Sequence, residues 1–274
     1  MCDRCFAATA PRGLVVFSSA SGVGGKTQIW VMDANGTGRH SISPPTSSDE
    51  GPALSADGKR IAFGSHGHIY VMSVNGSGVR RLTSGSGEVS PAWSPNGRWI
   101  AYARPSAGKS AIWKMRADGS RKTHLTPNSL SGVPDWSPDG RRIAYAEQGR
   151  IWVMNADGTG RHAVTKTVYG VDWAPSWSRD GRRIAYESNR ATSPVTPTNE
   201  IWLMNADGSN QRRLTNNNLQ DGQPTWSPDG NWIAFTSELP HPGTAHIWAM
   251  HPNGKNLHRI SSAPGEEYFP SWSR

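Results

Sequence analysis

One motif, repeated along the whole chain, limits what this sequence can fold into. Its clearest copy runs from Pro134 to Tyr145 (PDWSPDGRRIAY) and continues from Ile151 to Gly158 (IWVMNADG). Ile143 to Tyr145 and Ile151 to Met154 are short runs rich in β-branched and aromatic residues, bounded by turn residues, and each predicts a strand. Asp139-Gly140 and Asp157-Gly158 supply the turns, because Asp hydrogen-bonds its own backbone and Gly takes a positive φ without a steric penalty. A more polar stretch from Arg161 to Thr165 predicts a fourth strand. The Ile-aromatic pair of this unit returns at Ile29, Ile69, Ile112, Ile151, Ile201 and Ile247, at spacings of 40, 43, 39, 50 and 46 residues. A four-stranded unit recurring at that interval is a propeller blade, and six anchors predict six blades.

The ends of the chain fit this unit. Residues 13–19 match the second strand of the repeat, so the first blade opens without its own first strand. Residues 269–274 match a first strand and come last. The expected fold is therefore all-β, a six-bladed propeller over residues 13–274 behind a tail at 1–12, closed when the C-terminal strand joins the N-terminal blade. Leu54, Trp93, Trp136, Trp177, Trp226 and Trp272 occupy one equivalent first-strand position and are expected in the core, together with both faces of the third strands. With every unit needing its neighbours, the 274 residues form one domain rather than two.

Composition narrows the function. No apolar run is long enough to span a bilayer, so membrane insertion is not expected. The formal charge of +8 suggests nucleic acid, but sixteen of the 29 Lys and Arg are spread blade by blade. They follow the first turn, as at Arg60, Arg142 and Arg183, or lie by the fourth strand, as at Arg80, Arg81 and Arg212. That distribution predicts protected outer edges rather than a nucleic-acid footprint, which clusters on one face. Cys2 and Cys5 form a C-x-x-C with no further Cys to complete a zinc site, and an incidental N-terminal pair is expected. No basic-then-apolar signal segment precedes Pro11, as expected of a cytoplasmic chain or of one that has lost its start.

The repeat, Trp-Ser-Pro-Asp-Gly-x-x-Ile-Ala-Tyr followed by Ile-Trp-Val-Met-Asn-Ala-Asp-Gly and Arg-x-Leu-Thr, resembles that of TolB-type six-bladed propellers over residues 13–274. It is also similar to repeats in the gating propellers of prolyl-oligopeptidase-like enzymes and in oligogalacturonate lyase. The TolB resemblance implies a cell-envelope setting, a lipoprotein-like partner, partner peptides bound at the central channel and calcium able to occupy it. The N-terminal domain that accompanies such propellers does not appear in these 274 residues.

Loop lengths separate the two ends of the ring. Connections between strands one and two and between three and four are short and uniform, whereas those between two and three and between blades vary, which marks the variable end for recognition. Three residues before each first-strand Pro stand Asp49, Glu88, Ser131, Asp172, Asp221 and Glu267. If they line the channel mouth, the five acids would attract Ca²⁺, Mg²⁺ or a Lys/Arg-bearing peptide. If instead each caps its own inter-blade turn, they bind nothing. Tyr169, Trp173 and Tyr268 lie in variable loops as candidate partner anchors, while Trp173 and Phe269 equally suit packing between blades.

Other motifs carry less. Ala20 to Thr27 (ASGVGGKT) imitates a phosphate loop, but a strand pattern follows it instead of a helix. His66, His68, His241 and His246 are loop histidines that could ligate metal. No Gly-x-Ser-x-Gly elbow is present. The leading expectation is a monomeric, non-catalytic module that binds a protein or peptide and requires no cofactor. The alternatives are a metal-dependent propeller enzyme of lyase or lactonase type and an accessory propeller of a hydrolase.

Overall fold

The computed structural model describes residues 11–21, 23–44, 47–106, 108–127, 129–190, 198–262 and 265–272. Cys2 and Cys5 lie outside them, as does part of the loop between Asn189 and Glu200. Six four-stranded antiparallel sheets make up the fold, and each follows the predicted unit. Blade four shows the pattern: Ser131–Trp136 innermost, then Arg142–Glu147, Arg150–Asn155 and the two-residue outer strand His162–Ala163.

Blade one is built from both ends of the chain. Glu267–Trp272 pairs with Leu14–Ser19, which pairs with Gln28–Asp33 and then His40–Ser41. Val15 stands opposite Trp272, and the Trp272 indole N–H donates to the Arg12 carbonyl at 2.9 Å. The C-terminal strand thus closes the ring as expected.

The Ser-Pro-Asp-Gly turns cap themselves. Ser137 Oγ donates to Asp139 Oδ1 at 2.6 Å, and the same oxygen accepts the Arg141 N–H at 3.0 Å. Those hydrogen bonds, the serine hydroxyl's first, hold the Asp139 carboxyl below the usual carboxylate range. The second Asp-Gly turn explains its glycine differently. Gly208 has φ +86°, and a Cβ there would overlap the Val164 carbonyl oxygen of the preceding blade. Equivalent turns repeat this close approach at Gly76 and Gly158, so only glycine lets adjacent blades seat.

Apolar clusters lie between blades rather than inside them. Ile184, Tyr186 and Trp177 of blade five meet Ala144, Ile151 and Val153 of blade four. All six equivalent first-strand residues from Leu54 to Trp272 are buried, as predicted. The basic residues are not merely edge guards. Arg60, Arg142 and Arg183 lie over Trp93, Trp177 and Trp226 of the following blade, 4.4–4.8 Å from the ring centres. Arg80 and Arg212 donate to turn carbonyls of the next blade. Charge that the sequence suggested was spread for edge protection therefore also ties blade to blade.

Candidate functional site

The channel is shaped by an irregularity that all six innermost strands share. Pro lacks a ladder donor and sits in sheets only at edges or bulges. Here Pro52, Pro91, Pro134, Pro175, Pro224 and Pro270 each follow a residue of positive φ, between 45° and 58°: Gly51, Ser90, Val133, Ala174, Gln223 and Phe269. Pairing with the second strand shifts register at each of these points. Five of the six residues are not glycine, and each holds about 1–2 kcal/mol of backbone strain. The bulges turn the proline pairs toward the axis. Two cavities meet at this waist. The one on the variable-loop side has a volume of about 290 Å³ and is walled by the six bulge pairs together with Trp173 and Glu187. The other lies toward the short turns and includes Asp135, Thr225 and Ser271.

Those three residues join blades across the channel wall. Asp135 Oδ2 accepts the Trp177 N–H at 2.7 Å, and Ser271 Oγ accepts that of Leu54 at 3.0 Å. They were not among the residues singled out from sequence.

The predicted acidic ring takes another position. Asp49, Glu88, Asp172, Asp221 and Glu267 are all buried and none lines either cavity. The seam between blades is the physical reason. The N–H of each acid donates to a carbonyl of the preceding blade, Asp49 to Thr27, Glu88 to Gly67, Asp172 to Gly149, Asp221 to Asn199 and Glu267 to Ala245, so these residues are held where two blades meet and not at the axis. Their carboxylates meet groups of the preceding blade and of the segment leading in from it. Glu88 accepts from Thr83 Oγ1 at 3.1 Å, Asp172 from Thr167, and Glu267 from Ser261. Asp49 stands opposite Ser65. Asp221 accepts from Asn217 Nδ2 at 2.7 Å, and burial, reinforced by neighbouring Glu200, pushes it up to about 6. Ser131 fits the same scheme from across the ladder, because its partner Glu147 supplies a carboxylate that Arg161 holds at 2.6 Å.

The histidines divide. His246 Nδ1 lies 3.1 Å from Glu267 Oε2, and His68 Nδ1 lies 3.6 Å from Glu88 Oε2. His66 meets the Ser65 hydroxyl, and His241 is exposed. Among the described residues, no group of three or more His, Cys, Asp or Glu is placed to hold a metal ion. The imitation phosphate loop carries one 3₁₀ turn, Val23–Gly25, and then strand Gln28–Asp33, so no helix N-terminus faces it.

The aromatic candidates gather at the variable end. Tyr169 is 86% exposed and Val168 80%, with Val171 and Leu130 also projecting into solvent. Two residues on, Trp173 enters the cavity wall, and its ring lies against Gly132 of blade four, where a Cβ would come within 3.1 Å. Phe269 is 40% exposed and lines the same cavity. Its N–H donates to Gln223 Oε1 at 2.8 Å. Tyr268 is half-buried and donates to Glu266 Oε2 at 2.5 Å. Burial first, then that carboxylate, raises its phenol above the ordinary value. Trp173 therefore packs between blades and lines the cavity at once.

Sequence reasoning missed Glu187. It occupies a second-strand column that elsewhere holds Ser18, Gly64, Ala103, Ala146 and Thr236. A lone charge in a column of small neutral residues was the available signal.

Comparison with known proteins agrees with the architecture. A family model described as the TolB beta propeller domain (PD40) matches residues 9–131 and 133–274. The Tol-Pal system protein TolB of Zymomonas mobilis is 42% identical over 50 residues, which are 18% of this chain and 11% of that protein. Its counterpart in Rhizorhabdus wittichii is 38% identical over 50 residues, covering the same shares of each chain. Among solved structures, TolB from Acinetobacter baumannii superposes with a TM-score of 0.83 at 18% identity, over 95% of this chain and 66% of that one. An oligogalacturonate lyase in complex with manganese gives 0.63 at 15% identity, over 91% and 74%. At those identities the likeness is one of fold.

Proposed function

This chain belongs to the TolB beta propeller domain family, and we propose that it is a non-catalytic propeller that binds a protein or peptide on its variable-loop face and channel mouth. One observation carries the reading: an exposed apolar loop, Val168 to Val171, leads directly into an apolar-walled cavity at Trp173. Soluble proteins seldom leave such a surface bare without a use for it, and partners anchor on aromatic side chains set in or beside pockets. Tyr169 meets the partner first, while Trp173, Tyr268 and Phe269 receive what enters the mouth. The prolines and bulges fix the rim, so little backbone order is lost on binding.

Capture from extracts tests this. Wild type is compared with a Tyr169→Ala, Trp173→Ala, Tyr268→Ala variant and with Tyr169→Ala alone, after urea unfolding has shown each to be folded. The wild type retains a discrete partner that the triple variant loses and the single variant retains more weakly. Equal recovery by all three overturns the reading.

A further inference from the structure

Among the described residues, Glu187 is the only ionisable side chain that lines the 290 Å³ cavity. It is 9% exposed. One carboxylate oxygen accepts the Gln223 N–H at 2.8 Å, and Gly222 leaves it room, since a Cβ there would overlap that oxygen. Among the described residues, ion pairs serve Glu88, Glu147 and Glu267, but none reaches Glu187. A carboxylate withdrawn from water with no counter-charge is destabilising. Burial accordingly pushes it up to about 7, and the Gln223 hydrogen bond offsets only part of that rise. Blade five nevertheless places this acid where its five counterparts carry small neutral residues.

The surroundings match one kind of occupant. Trp173 is the cross-strand neighbour of Glu187, and Phe269 lies on the same cavity wall. Aromatic faces attract organic cations, and they also cover the alkyl stem of a long basic side chain. We propose that this cavity receives a single Lys or Arg side chain from the partner, its charged head meeting Glu187 and its stem lying against Trp173 and Phe269. This rests on the reading of the variable face as a protein-binding surface and adds the partner's chemistry to it. A neutral apolar side chain would leave the carboxylate buried and unpaired, and an acidic one would be repelled.

Four pentapeptides, acetyl-Gly-Gly-X-Gly-Gly-amide with X as Arg, Lys, norleucine or Glu, provide the probes. They are titrated into the full chain at pH 8 while the Trp173 indole and Glu187 carboxyl resonances are followed by NMR. The Arg and Lys peptides should bind about ten-fold or more tighter than norleucine, with Glu weakest. Glu187→Gln, which keeps an acceptor for the Gln223 N–H, should erase that preference. Affinity for the Arg peptide should fall as pH drops through 7 in the wild type and stay level in Glu187→Gln, because protons compete with the cation for ionised Glu187. The inference fails if norleucine binds as well as Arg, if Glu187→Gln keeps the preference, or if no peptide moves the Trp173 resonance. In any of these cases, continued loss of partner capture by the Tyr169 variants leaves the surface reading standing, and retained capture removes both.

Discussion

Removing residues 269–274 should unfold the entire ring, although they take only four residues of one strand at one end of the chain. The truncation takes away Trp272, a buried indole packed among residues of blades one and six. Truncating a buried Trp to Ala alone lowers stability by about 3–5 kcal/mol. The Arg12 carbonyl loses its indole donor and the Leu54 N–H loses Ser271 Oγ, each hydrogen bond worth about 1 kcal/mol. The ladder from Val15 and Val16 to Trp272 and Ser271 disappears as well, opening blade one to solvent. Together these losses match the whole stability of an ordinary domain, about 5–15 kcal/mol. Urea unfolding followed by tryptophan fluorescence and circular dichroism provides the assay. The truncated chain should show no cooperative transition, Trp272→Ala a transition weakened by about 3–5 kcal/mol, and exposed Val79→Ala one within about 0.5 kcal/mol of wild type. A truncated chain with the wild-type midpoint would refute ring closure as the source of stability.

Two further substitutions probe the interior. Asp221 keeps its proton up to about 6, against 3.8 for a free aspartate, so its favourable contribution is complete below the unfolded value and is lost as pH rises through 6. Wild type should therefore lose about 2–3 kcal/mol relative to Asp221→Asn between pH 3.5 and 7.5, read from urea midpoints; a constant difference across that range contradicts the assignment. Gly208→Ala should cost more than about 2 kcal/mol because of its overlap with the Val164 carbonyl, whereas Gly243→Ala, at φ +79° in open space, should cost about 1 kcal/mol; equal losses would contradict the close approach of the blades.

Blade number and strand order were legible in the sequence because they are repeated, by five turns such as Ser137 to Gly140 and by six pairs such as Ile151-Trp152, and closure because the two chain ends supply the missing parts of one unit. Repetition also misled. The acids from Asp49 to Glu267 recur faithfully near the start of each innermost strand, which suggested a channel mouth, yet each donates its N–H to a carbonyl of the preceding blade and is held in the seam between blades. A proline in every innermost strand was the sign of the bulge that shapes the channel. Glu187 escaped notice for the opposite reason, since it breaks a repeat instead of forming one. The arginine stacking on Trp93, Trp177 and Trp226 crosses between blades, and no spacing within a single repeat encodes such contacts.

Hydrogen exchange of the ring, alone and with the captured partner bound, tests most directly where recognition takes place. The account predicts slowed exchange in residues 166–173 and 265–269, beside Tyr169 and Phe269, with no change in the turns around Asp139, Asp180 and Asp229 at the opposite end. Protection confined to those turns, with the Tyr169 loop unaltered, would contradict it.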